Sequence, residues 1–137
     1  MEKIRAAVVG FGGMGRQYVQ MLDNGEIDDM VLAGVCCRNE KGQNEIRTAY
    51  PGVSVYPNVE AMFGCKDEFD AAVVVTPHAT HVEIGKMAAA AGKHILLDKP
   101  AGISTKEVKE LLVAAERAGV SLGMIFNTRM NRVFFRA

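Results

Sequence analysis

The sequence predicts an α/β fold, a doubly wound parallel sheet of about six strands with helices on both faces. Three observations predict it. Short apolar runs alternate with amphipathic helical stretches along the whole chain. Some of those runs are apolar at every position, as strands covered on both faces are. A glycine-rich turn, Gly10-Phe11-Gly12-Gly13-Met14-Gly15, joins the first run to the first helix. Right-handed crossovers then give a two-sided sheet with strand order 3-2-1-4-5-6.

Residues 3–9 read as the first strand, stopped by Gly10. A helix is expected over 13–23, with Met14, Tyr18, Met21 and Leu22 on one face and Asn24-Gly25 at its end. Residues 30–37 are apolar throughout and form the second strand. Asn39 caps a helix to about Tyr50 that turns Ile46, Ala49 and Tyr50 inward; Gly42 weakens it. Pro51-Gly52 breaks the chain, 53–56 is a short strand, and Asn58 caps a short helix ending near Gly64. Residues 71–75 are the fourth strand. Thr80 and Glu83 have capping-box spacing, opening a helix with Ile84, Met87, Ala88 and Ala91 inward and Gly92 at its end. Residues 94–97 are the fifth strand. Ser104 and Glu107 repeat the capping-box spacing, and the helix they open buries Val108, Leu111, Leu112 and Ala115 before Gly119. Residues 120–126 make the last strand. Beyond it the chain turns apolar again at Val133, Phe134 and Phe135.

Of the 137 residues, 49% are hydrophobic and 23% charged, the balance of one soluble globular domain rather than a disordered or fibrous chain. Sixteen Lys and Arg face sixteen Asp and Glu, which leaves no basic excess for a broad nucleic-acid surface. No apolar run approaches the ~20 residues of a membrane-spanning helix, and the apolar stretch after Lys3 and Arg5 runs into glycines with no small-residue cleavage site, so no targeting segment is expected. A cytoplasmic location is expected. Cys36, Cys37 and Cys65 contain no CxxC pair, so neither a disulfide scaffold nor a metal site is expected. Cys36 and Cys65 are expected to be buried as small hydrophobes.

The glycine turn matches G-x-G-x-x-G in the context that gives the pattern meaning, after a strand and at the head of a helix. Gly10 permits the tight turn, Gly12 lets backbone approach a pyrophosphate, and Gly15 lets helix and strand pack closely. Phe11, Gly13 and Met14 complete the loop. The helix N-terminus supplies free N–H groups and partial positive charge to the phosphates. The expectation is a Rossmann-type dinucleotide-binding domain over 1–126. About twenty residues past the motif, where a carboxylate usually reads the adenosine ribose, stand Cys37 and Arg38. Cys37 cannot act as that carboxylate, and Arg38 suits a 2′-phosphate. This favours NADP, with NAD as the alternative; Glu40 is a second candidate for the ribose.

After the fourth strand comes Thr76-Pro77-His78-Ala79-Thr80-His81, after the fifth Asp98-Lys99-Pro100, and after the sixth Asn127-Thr128-Arg129. With the opening GFGGMG, this order resembles the N-terminal domain of the glucose–fructose oxidoreductase/inositol dehydrogenase (Gfo/Idh/MocA) family over essentially the whole chain. The family's T-P-N-x-x-H and E-K-P segments carry the likeness. The resemblance implies that Thr76, Pro77 and His81 line the nicotinamide-side ribose and pyrophosphate. It places Lys99 beside the nicotinamide as the catalytic residue, where an ammonium can bond a substrate hydroxyl and favour alkoxide charge. Pro100 would shape the turn, after a peptide bond that can be cis. Asn127 and Arg129 would border the site. Asp98 stands where Glu is usual, keeping the charge with a shorter reach, and His78 where Asn is usual, changing the hydrogen bond made there. By residue type alone, His78 and His81 also read as ordinary helix N-terminal residues, and Asp98-Lys99 as a surface ion pair.

Family members are longer. A second α/β domain supplies most of the substrate pocket, a catalytic histidine and the usual oligomer interface. The resemblance thus implies the NAD(P)-binding part of an oxidoreductase acting on a sugar, polyol or related carbonyl compound. Such a chain is expected not to be catalytically complete alone, with 127–137 starting a connector and a homo-oligomer as the enzyme's assembly. The alternative is a stand-alone NAD(P)-binding or sensing module. A glycine-loop methyltransferase would account for the first motif but not for Asp98-Lys99-Pro100.

Overall fold

Strands and helices alternate along residues 1–126, which the computed structural model describes. In chain order they are β1 (Ile4–Val9), α1 (Gly13–Asp23), β2 (Met30–Cys36), α2 (Glu40–Ala49), β3 (Ser54–Tyr56), α3 (Val59–Gly64), β4 (Ala71–Val74), α4 (His81–Ala90), β5 (His94–Asp98), α5 (Thr105–Ala118) and β6 (Leu122–Ile125). All strand pairs are parallel, in the order β3-β2-β1-β4-β5-β6. That is the predicted Rossmann order. The chain reverses direction across the sheet between β1 and β4, and such a reversal opens a crevice at the carboxyl ends of the strands. Register brings those ends level: Val9 pairs with Cys36 and Val74, and Val74 with Leu97. The turns at Gly10, Cys37, Val75 and Asp98 therefore leave the sheet along one edge.

Strand alternation divides the interior in two. Ala7, Val9, Ala72, Val74, Ile95 and Leu97 pack with Met62 of α3, Ile84 and Ala88 of α4, and Leu111 and Ala115 of α5. Ala6, Val8, Val35 and Val73 pack on the other face with Val19 and Leu22 of α1 and Ile46 of α2. Opposite the crevice, Arg5 joins β1 to Asp70, just before β4. Its Nη2 and Nε donate to the carboxylate at 2.8 and 3.1 Å, and its backbone N–H adds a third bond at 2.9 Å. The Arg5 bonds hold the Asp70 carboxyl below the usual carboxylate range.

Several local expectations need correction. α1 buries Gly15, Val19 and Leu22, while Met14, Tyr18 and Met21 lie half-buried at the sides of that stripe. Val31 of β2 is 40% exposed, so the start of that strand is not covered on both faces. In α2 only Gly42 and Ile46 are buried and Ala49 faces solvent. Gly42 is no weak point: a Cβ there would stand 2.5 Å from Cys37 Sγ, so its absence lets α2 dock against the end of β2. The Thr80–Glu83 capping box does not form; the Thr80 hydroxyl bonds backwards instead. Met87 and Ala91 are half-buried, whereas His81, Val82, Gly85 and Ala89 are buried with Ile84 and Ala88. Ser104 does cap α5, accepting the Glu107 N–H. Leu111 and Ala115 are buried while Leu112 is 51% exposed, since the next residue on a helix points about 100° away. Cys65 is exposed rather than buried; it terminates α3 outside the packed stripe.

Candidate functional site

The turn leaving β1 is shaped by what its glycines lack. Gly10 has φ +104°, and a Cβ there would lie 2.9 Å from the Val75 carbonyl oxygen and 3.3 Å from Thr76 Cγ2. A Cβ at the buried Gly15 would collide with the Gly10 carbonyl. These two positions pack the turn against the exit of β4. Gly12 and Gly13 are different: a Cβ at either would meet nothing within 4 Å. Gly12 is the N-cap of α1 with no side-chain cap, and the first turn holds no acidic residue. The first N–H groups of this helix have no side-chain cap and stand at a positive dipole end. A pyrophosphate fits such a cradle, and bulkier residues at Gly12 or Gly13 would fill it.

Beside the turn, Arg16 of α1 lies 4.2 Å over the Phe11 ring. It also forms a two-pronged ion pair with Glu45 of α2, with Nη2 to Oε2 at 2.9 Å. The Arg16 bond lowers the Glu45 carboxyl pKa. Sequence reading missed this bridge because its partners are 29 residues apart. At the end of β2, burial pushes the Cys36 thiol up to about 12. Cys37 is buried as well, with Sγ 3.6 Å from Asn39 Nδ2 and the Asn39 carbonyl oxygen. Gln43 Nε2 donates to the Cys37 carbonyl at 2.9 Å. Arg38 is exposed, so the arginine and not the thiol is presented at this corner.

At the exit of β4, Thr76 is half-buried and Pro77 and His78 are exposed. Thr80 Oγ1 lies 2.7 Å from both the Pro77 carbonyl oxygen and Thr76 Oγ1. The carbonyl can only accept, so Thr80 donates to it and accepts from Thr76. His81 is fully buried. Its Nε2 is 2.8 Å from the Thr76 carbonyl oxygen and its Nδ1 2.7 Å from the Pro100 carbonyl oxygen. The His78 ring stands 5.8 Å away, edge-on. At the exit of β5, Asp98 Oδ1 accepts the Lys99 backbone N–H at 2.9 Å. Lys99 is exposed and the Lys99–Pro100 bond is cis. Tyr18 of α1 feels this end of the sheet too: burial raises its phenol pKa, and the Asp98 charge raises it further.

The glycine turn, Cys37-Arg38, the 76–81 segment and Asp98-Lys99-Pro100 thus leave one edge of one sheet. Asn127 and Arg129 lie outside the described residues, as do Val133, Phe134 and Phe135. Among the described residues no group of three His, Cys, Asp or Glu side chains could hold a metal ion. No described helix is long and apolar enough to cross a membrane.

The model of an oxidoreductase family with an NAD-binding Rossmann fold, Gfo/Idh/MocA, matches residues 4–126. The chain belongs to the Gfo/Idh/MocA family. It is 29% identical over 119 residues to scyllo-inositol 2-dehydrogenase (NADP(+)) IolU of Bacillus subtilis, a match covering 87% of this chain and 35% of that protein. The crystal structure of GenD2 from gentamicin A biosynthesis in complex with NAD is 31% identical, with TM-score 0.87, covering 99% of this chain and 38% of that one. The WlbA dehydrogenase of Bordetella pertussis, crystallised with NADH and UDP-GlcNAcA, shares the fold at TM-score 0.90 and 24% identity, covering 98% and 40%. The chain spans between a third and two fifths of the length of these Gfo/Idh/MocA relatives.

Proposed function

We propose that residues 1–126 form the NAD(P)-binding part of an oxidoreductase that moves a hydride between a nicotinamide cofactor and a sugar, polyol or related carbonyl compound, and that this chain does not turn over substrate alone. The uncapped start of α1, open at Gly12 and Gly13, carries the reading. Its N–H groups bind the pyrophosphate. Arg38, at a corner where a thiol replaces the usual carboxylate, pairs with a 2′-phosphate and favours NADP. Thr76 and Pro77 border the nicotinamide-side ribose, with His78 beside them where the family has Asn, and Asp98 and Pro100 frame the same end. When bound, the nicotinamide supplies the hydride chemistry. Lys99 is the catalytic residue of this chain: its ammonium donates to a substrate oxygen and stabilises negative charge there. Productive transfer needs the substrate held within about 3–3.5 Å of the acceptor atom, and a second domain of the kind the family carries would hold it. Kinship with inositol and sugar-nucleotide dehydrogenases supports the substrate class.

Calorimetric titration with NADPH and NADH tests the reading. Both are expected to bind, NADPH the more tightly, and Arg38→Ala should weaken NADPH about tenfold, the worth of one charge-assisted hydrogen bond, while sparing NADH. No heat with either nucleotide would overturn the function. Tighter NADH binding would overturn the NADP preference alone.

A further inference from the structure

His81 is the buried polar side chain among the described residues, and both of its ring nitrogens are taken up by carbonyl oxygens, of Thr76 at 2.8 Å and Pro100 at 2.7 Å. No nitrogen is left for a ligand. The two carbonyls belong to the segments leaving β4 and β5, which no strand pairing joins beyond Val74 and Leu97. Each ring nitrogen faces a carbonyl oxygen at hydrogen-bonding distance, the tautomer setting which one donates. Lys99 lies between two anchored points. Its own N–H is held by Asp98 Oδ1, and the carbonyl of the next residue is held by His81.

We propose that His81 is a positioning residue rather than a cofactor contact: it spans the exits of β4 and β5 as a strut and thereby sets where Lys99 stands relative to the glycine turn. The importance of that placement rests on the proposed role of Lys99; the strut itself does not.

The test follows acylation of Lys99, resolved by peptide mass spectrometry, in the free chain and with NADPH. His81→Phe keeps a ring without hydrogen bonds, and His81→Gln keeps a donor. Ile46→Ala, in the core on the opposite face of the sheet, is the stability control. In the wild type NADPH is expected to slow acylation of Lys99. His81→Phe should change the rate in the free chain, abolish that protection and weaken NADPH about tenfold, the equivalent of one lost hydrogen bond. His81→Gln should restore part of each. Ile46→Ala should lower the melting temperature yet leave Lys99 as in the wild type. Unchanged Lys99 reactivity in both His81 variants, or an equal change in Ile46→Ala, would overturn the strut. If His81→Phe does not fold, the Gln variant decides. If the wild-type chain binds no nucleotide, the functional reading fails by itself, and the free-chain rates still judge the strut.

Discussion

Gly12 and Gly15 share a motif and a residue type, but they serve different ends. A side chain at Gly12 meets open space, and its φ of −84° suits any residue. A side chain at Gly15 meets the Gly10 carbonyl. Gly12→Val should therefore leave the melting temperature nearly unchanged while weakening nucleotide binding at least tenfold, because the added methyls occupy the approach to the α1 N–H groups. Gly15→Ala should lower stability by about 1–3 kcal/mol, the cost of overpacking a close contact. Thermal melts paired with nucleotide titration separate the two. The cysteines differ just as sharply. Burial raises the Cys36 thiol to about 12, Cys37 is enclosed, and Cys65 is exposed. A thiol reagent at pH 8 should label Cys65 fast and the other two only as the fold opens, since the thiolate is the reacting form; equal labelling of all three would contradict this burial. Composition could not separate these cysteines, because exposure depends on which side of a helix end faces the sheet.

Elements were legible where periodicity speaks and illegible where partners do. Strand and helix order followed from alternating apolar runs. Which residues of a helix face inward was read less well, because Leu112 and Ala49 look as apolar as their buried neighbours. α2 shows the point most clearly. On propensity alone Gly42→Ala would favour the helix by about 1 kcal/mol. In place, the new methyl would stand 2.5 Å from Cys37 Sγ and 3.0 Å from Asn39 Oδ1. Overpacking costs about 1–3 kcal/mol, so the variant should be less stable than wild type in urea, with an unchanged m-value. A more stable variant would show that α2 shifts freely.

Across the whole molecule, site and staple lie at opposite ends of the same strands. The Arg5–Asp70 pair joins the starts of β1 and β4, while the glycine turn and the 76–81 segment leave their far ends. Asp70 has its carboxyl pKa lowered in the fold, so its stabilisation is present above its unfolded value, about 3.9, and is lost as pH falls through the folded value. Asp70→Asn should lower the melting temperature at pH 7, by a margin that shrinks toward zero in acid. Nucleotide affinity at pH 7 should not change. An effect on affinity would mean that the two ends of the sheet are coupled.

The sequence by itself determined the fold class, the strand order and the family. These depend on local periodicity, on turn chemistry and on the handedness of crossovers, all of which a linear string records. Only the tertiary structure decided that Arg16 bridges Phe11 and Glu45, that Cys37 is hidden while Arg38 is presented, and that His81 is sealed between two carbonyls. Those outcomes depend on which atoms meet after the chain has crossed the sheet, and no spacing along the chain encodes that distance.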